Sequence, residues 1–295
     1  MSATPAAADP TRFMPTPVPP TPATPPPVPP LPVAPDDVAA ALDAVRTRAP
    51  LVQCLTNVVV AQWTANTLLA LGAAPAMVDN PRESAELASV ADAVLVNLGT
   101  PYVETVAAMG PAVAAAGGAG TPWVLDPVAA GTLGWRTVVA RSLLQAGPPA
   151  ILRGNASEVL ALDGGSGGRG VDSVHAPEAA VRSALAVARR HGTVVAVSGP
   201  TDHVLDPHRL VRVANGHEWL TRVTGVGCAL GAAMAAFAAA VDDPLLAAVA
   251  ATATMTVAAE GAAGRSGGPG SFAVALLDDL TAVTPDQLAA RVELG

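Results

Sequence analysis

Val223-Thr224-Gly225-Val226-Gly227-Cys228 runs straight into small apolar residues at 229–241. Glycines alternating with small residues ahead of an unbroken apolar run read as a loop feeding a buried helix. The start of such a helix offers unpaired backbone N–H groups and the positive end of the helix dipole, a setting that suits an anion. Gly225 and Gly227 let the backbone approach a ligand closely, because no Cβ stands in the way. Cys228 falls in the first turn, where its thiol would feel the same field.

Further polar residues follow short apolar runs that read as strands. Thr56-Asn57 comes after one, Met77-Val78-Asp79 after a second and Asn97-Leu98-Gly99-Thr100 after a third. Asp126-Pro127, Arg153-Gly154-Asn155 and Ser198-Gly199-Pro200 follow the next three. In open α/β sheets ligands bind at the carboxyl ends of the strands. One sheet edge is therefore expected to carry carboxylate, arginine, asparagine and hydroxyl side chains beside the glycine loop. Each residue also has a plain structural reading: Asp126 could cap a turn, and Asn155 with Glu158 could form a helix capping pair. Their coincidence at one edge favours a site.

The elements that must position these groups follow an alternating α/β pattern. Strands are expected at 51–55, 74–78, 93–96, 123–125, 150–152 and 193–197, with an edge hairpin at 203–205 and 210–214. Helical patterns fall at 36–48, capped by Asp36 and Asp37, and at 58–71, ended by Gly72. Others fall at 84–90, 102–116, 135–145 and 177–190, and two long Ala-rich helices follow the glycine loop. Gly267-Gly268-Pro269-Gly270 precedes a last helix near 272–280. Short apolar strands alternating with helices imply a mostly parallel sheet covered on both faces. Residues 36–295 read as one domain. Residues 1–35 hold fourteen of the 29 prolines and read as a Pro-rich disordered tail.

Composition removes several functions. The 16 basic residues are all arginine, so a Walker-type phosphate loop and a Schiff-base lysine are both excluded. A phosphate-handling site here must use arginine, backbone amides and metal. A net charge of -8 argues against nucleic acid or an anionic membrane as main partner. Cys54 and Cys228 lack zinc spacing. No signal peptide is evident, and the apolar runs at 228–241 and 245–259 fall short of the ~20 residues of a membrane span, so a cytoplasmic protein is expected. The five histidines have no metal spacing; His217 is a candidate for a structural contact only.

Taken together, the motifs resemble those of the hydroxyethylthiazole kinase family, thiamine-salvage enzymes with a ribokinase-like fold. The resemblance rests on Leu55-Thr56-Asn57, Ala65-Asn66, 72–77, 97–100, Leu125-Asp126-Pro127-Val128 and 153–158. It extends through Gly170-Val171-Asp172-Ser173, Asn215-Gly216-His217, 224–228 and 268–272. It implies phosphoryl transfer from MgATP to the primary alcohol of 4-methyl-5-(2-hydroxyethyl)thiazole. By that resemblance Met77 and Gly225 would contact the thiazole, with Asn57 on the same wall. Arg153 and Ser198 would contact ATP, and Asp126 and Glu158, with Asn155, would organise Mg2+ and the phosphates. Cys228 would stand at the catalytic position as a weak or assisting base, with Gly225 and Gly227 completing the anion hole. A homotrimer with sites at subunit interfaces is likewise implied. Three positions depart from the family's pattern: Ser198 replaces Thr, Ala129 replaces Gly, stiffening its turn, and Gln53 replaces the His before the first-strand Cys. A kinase of another small alcohol, or a regulatory nucleotide-binding protein, stays open as an alternative.

Overall fold

Five strands that are apolar on both faces need cover on both faces, and the structure supplies it. The computed structural model describes Met1 and residues 33–164 and 177–295. Most of the Pro-rich tail, and the 170–173 motif, lie outside the described residues. The strands are β1 (Leu51–Leu55), β2 (Ala74–Ala76), β3 (Ala93–Asn97), β4 (Trp123–Asp126), β5 (Ile151–Asn155), β6 (Val194–Ser198), β7 (Asp202–Leu205) and β8 (Leu210–Val213). They form one sheet in the order β2-β1-β3-β4-β5-β6-β7-β8. Pairing is parallel from β2 to β6, and β7 and β8 add the antiparallel hairpin expected at the edge.

The helices divide between the two faces. On one lie α1 (Pro35–Arg48), α2 (Ala61–Leu71), α8 (Val226–Ala240), α9 (Pro244–Gly264), α10 (Pro269–Ala282) and α11 (Pro285–Arg291). On the other lie α3 (Ser84–Ala88), α4 (Val103–Ala119), α5 (Gly134–Ala146), α6 (Ala156–Leu162) and α7 (Pro177–His191). Each face has its own apolar core, so alternate residues of a strand serve different cores: Val52 and Cys54 join the first, Leu55 the second.

Several boundaries differ from the sequence reading. Ala34, not an aspartate, precedes α1; Asp37 instead accepts a bond from the Ala34 N–H at 2.9 Å. Residues 58–60 form a turn before α2, and β2 stops at Ala76. The segment after Asn155 forms α6, and α11 follows α10. Helix α9 has 21 residues, more than the apolar run at 245–259, and is long and apolar enough to cross a membrane, but 83% of its apolar window is buried inside the fold. Its buried threonines, Thr252, Thr254 and Thr256, bond back to carbonyls one turn earlier, which keeps their hydroxyls satisfied.

Small residues on α8 bring it close to the sheet. A Cβ on Gly231 would lie 3.2 Å from Leu95 and 3.6 Å from the Asp126 carboxylate. The chain's last residues meanwhile seal the free side of β8: Arg212 and Gly295 exchange backbone hydrogen bonds of 2.8 and 3.1 Å, and Ala214 N–H bonds Glu293 at 3.0 Å.

Candidate active site

Parallel strands all end on one side, so polar residues placed after β1, β3, β4, β5 and β6 must meet there. Asn97 and Asp126 end neighbouring strands as direct partners in register, and so do Asn155 and Ser198. Their side chains link into one row that follows the order of the sheet. Asn57 Nδ2 lies 3.6 Å from Cys228 Sγ and donates to Asn97 Oδ1 at 2.9 Å. Asn97 Nδ2 donates to Asp126 Oδ2 at 2.9 Å, and Arg153 Nη1 reaches the same oxygen at 3.4 Å. Arg153 Nη2 ends the row on Ser198 Oγ at 3.0 Å.

Close approach accounts for several glycines here, Gly225 and Gly227 among them. Gly225 precedes α8 at φ +95°, and a Cβ there would lie 2.6 Å from Val60 Cγ1. A Cβ on Gly227 would lie 2.9 Å from Arg153 Nη2, so the first turn of α8 rests directly on the guanidinium. The helix start, with its unpaired amides, thus sits over a fixed cation. That pair forms a ready anion site.

The electrostatics follow from burial. Asp126 is fully buried, which pushes its carboxyl up to about 7; Glu158 adds to the rise, while Arg153 and Asn97 oppose it. Burial works against the Arg153 charge, but Asp126, Glu158, Cys228 and Asp202 outweigh it and raise its pKa. The Cys228 thiol is pushed up to about 11, first by burial and then by Asp126. The helix field expected to activate it is therefore overruled, and at neutral pH Cys228 carries its proton. Asp202, which accepts from the Gly199 N–H at 3.0 Å, is raised to about 6, chiefly by burial.

Polar atoms at this edge have unmet bonding capacity. Asp126 Oδ1, Arg153 Nε and the hydroxyls of Thr56, Thr100 and Ser157 are buried without a partner. Thr100 also holds φ +35°, a strained value for a β-branched residue. Such atoms are where a ligand would complete the structure. Asp126 Oδ1 is an oxygen donor left open, which suits a hard cation such as Mg2+ that keeps most of its waters.

Not every sequence-predicted residue joins the row. Glu158 accepts the Ala129 N–H on one oxygen and the Asn155 N–H on the other, both at 2.8 Å, while Asn155 Oδ1 takes the Glu158 N–H at 3.0 Å. This is the capping pair, fixed close enough to Asp126 to act on its charge. Met77 lies just beyond β2 on a loop and is 37% exposed. His217 makes only structural contacts, accepting the Trp219 N–H and packing against the Trp219 and Phe272 rings. Sequence reasoning assigned no role to Asn97 or Asp202. Asn97 had the same signal as its neighbours, a polar residue ending an apolar strand. A cavity of about 670 Å3 opens between Trp123, Pro148, Pro149 and Gly192, at the opposite edge of the sheet, but it is lined by no charged residue.

A mostly parallel sheet covered by helices on both faces, with its polar row at the strand ends and the start of α8, is of the ribokinase-like class. A ribokinase-like superfamily protein of Enterococcus faecalis matches the fold at a TM-score of 0.60 with 10% identity, over 86% of this chain and 96% of that one. The Hydroxyethylthiazole kinase family profile matches residues 42–286, and the chain belongs to that family. It is 60% identical to a hydroxyethylthiazole kinase of Clavibacter sepedonicus over 252 residues, 85% of this chain and 91% of that protein. The solved hydroxyethylthiazole kinase of Pyrococcus horikoshii superposes at a TM-score of 0.81 with 39% identity, covering 88% and 98% of the two chains.

Proposed function

We propose that this chain transfers the terminal phosphoryl group of ATP to the hydroxyl of 4-methyl-5-(2-hydroxyethyl)thiazole in thiamine salvage. The observation that supports it most is the row itself: a buried carboxylate with one open oxygen, a fixed arginine and a glycine-started helix at one strand edge. The alcohol oxygen bonds to the terminal phosphorus as the bond to the bridging oxygen breaks, ADP leaves, and the alcohol proton departs late in the step, to a phosphate oxygen or to solvent. Phosphoryl transfer runs mainly on positioning and charge neutralisation. The amides of the 225–228 turn and Arg153 face the charge that develops on the moving group. Arg153 and Ser198 hold ATP, while Met77, Gly225 and Asn57 form the wall for the thiazole. Asp126 would hold Mg2+ with Glu158 and Asn155 beside it, and the metal would neutralise phosphate charge. Cys228 is protonated at rest, so it acts as a base only through its minor thiolate fraction and assists the transfer weakly.

The kinase domain spans 36–295 behind the Pro-rich segment 1–35, and the enzyme works in the cytoplasm as a homotrimer. Val58 and Val59, directly after Asn57, are 66% and 61% exposed, and Met77 lies past the neighbouring strand. These apolar residues favour a partner subunit covering the substrate side.

The test is Mg2+-dependent ADP formation by the purified protein with hydroxyethylthiazole, hydroxymethylpyrimidine or ribose. Thiazole-dependent turnover with a phosphorylated thiazole by mass is the expected result. Turnover only with another alcohol would change the substrate, and ATP binding without turnover would favour a regulatory role.

A further inference from the structure

Gln53 sits in the middle of β1 with no exposed surface. Its neighbours in register are Ala76 of β2 and Val94 of β3, so its side chain stands between the strand that leads to Met77 and the centre of the sheet. A fully buried glutamine must place four hydrogen-bonding sites. Here Nε2 donates twice, to the Val78 carbonyl at 2.9 Å and to the Ser84 carbonyl at 3.0 Å. Carbonyls only accept, so the amide orientation is dictated by its partners. Oε1 is left buried and without a partner.

The two carbonyls lie at the two ends of one loop. Residues 77–83 leave β2 and return as α3, and one side chain holds both the departure and the return. Inside the loop the Glu83 and Ser84 N–H groups bond Asn80 O, which closes its far part, and Ser84 Oγ bonds Ala108 O of α4. Met77 follows directly on the clamped strand end. Leaving one amide oxygen unpaired to hold both ends suggests that loop placement matters more than local satisfaction.

We infer that Gln53 is a positioning residue for the alcohol substrate: its amide, bridging the Val78 and Ser84 carbonyls, holds Met77 in place on the pocket wall. This rests on the reading that Met77 contacts the thiazole.

The test uses the full chain with Gln53→Met, which keeps the length and removes both donors, and Gln53→His, which returns one N–H. Met77→Ala is the control for the pocket reading. Kinetics are measured separately in hydroxyethylthiazole and in ATP. Loop opening is read without activity, as tryptic cleavage after the exposed Arg82 followed by mass. Gln53→Met is expected to raise the KM for the thiazole about tenfold, as loss of buried hydrogen bonds does, with the KM for ATP within about twofold. Cleavage after Arg82 accelerates, and Gln53→His recovers part of both effects. Unchanged cleavage overturns the clamp. A joint collapse of kcat, both KM values and melting temperature overturns it too, since that marks a merely structural residue. Faster cleavage with an unchanged thiazole KM overturns the positioning role; Met77→Ala then tells which reading failed. If Met77→Ala shifts the thiazole KM, only the Gln53 inference falls, and if it does not, the pocket reading falls with it.

Discussion

Cys228 shows how burial decides chemistry against a local field. Its place in the first turn of α8 argues for an activated thiolate, yet loss of solvent and the nearby Asp126 charge hold the proton to about pH 11. A positioned general base is worth about 10²–10⁴ in rate, and a protonated thiol cannot supply that. Cys228→Ala is therefore expected to keep measurable turnover, within about tenfold of the parent kcat. Complete loss with folding and ATP binding intact would make Cys228 the true base. The pH dependence follows the same way. The folded state keeps a proton that the unfolded chain releases near the ordinary thiol value of 9.0, so this contribution to stability is full below that pH and is lost as pH rises through about 11. Alkylation of Cys228 by iodoacetamide should accordingly stay slow at neutral pH and climb toward a midpoint near 11; a midpoint near 7 would contradict the burial argument. Asp126 is the opposite case, a group that carries the site. Asp126→Asn should lower kcat by about 10²–10³, measured by ADP formation. Asp126 was legible because it ends an apolar strand, and Cys228 because it follows the glycine loop at the start of α8. The Asn57–Asn97–Asp126 linkage was not, since strand order in space cannot be read from strand order in sequence.

At the scale of elements, local signals named nearly every strand and missed mostly ends. At Asn155 and Glu158 the sequence shows a helix capping pair, but the seven-residue helix α6 that it starts went unnamed. Helix α9 outlasts its apolar run because Glu260, a residue that looks like a stop, is held by Asn215 Nδ2 and Gly216 N–H. The turn after β4 carries a cost that the sequence hinted at. Ala129 adopts φ +63°, where a Cβ is disfavoured, so that its N–H can reach Glu158. Ala129→Gly relieves the strain but adds freedom to the unfolded chain. The balance is expected to stabilise by about 0.5–1 kcal/mol, read as a rise of about 1–4 °C in melting temperature. A fall would show that the turn gains more from stiffness than it loses to strain. Gly225→Ala should do the reverse: the new Cβ meets Val60 at 2.6 Å, and the thiazole KM and the melting temperature should both worsen.

For the whole molecule, alternation of strands and helices sufficed to give a parallel sheet with two cores, and the late hairpin gave its antiparallel edge. What it could not give is how that edge is finished. An open sheet has two outer strands, each a row of backbone groups able to recruit another chain. On one side β2 is only three residues long. On the other, the residues around Glu293 and Gly295 lie along β8 and occupy its outward N–H and C=O groups. The chain's final residues thus act as a selvedge that keeps the sheet from fraying into its neighbours. Their removal would leave catalysis largely intact and turn a discrete enzyme into one that associates with itself strand to strand, visible as concentration-dependent light scattering. A bulky tag fused directly at Gly295 would pull on the same seam.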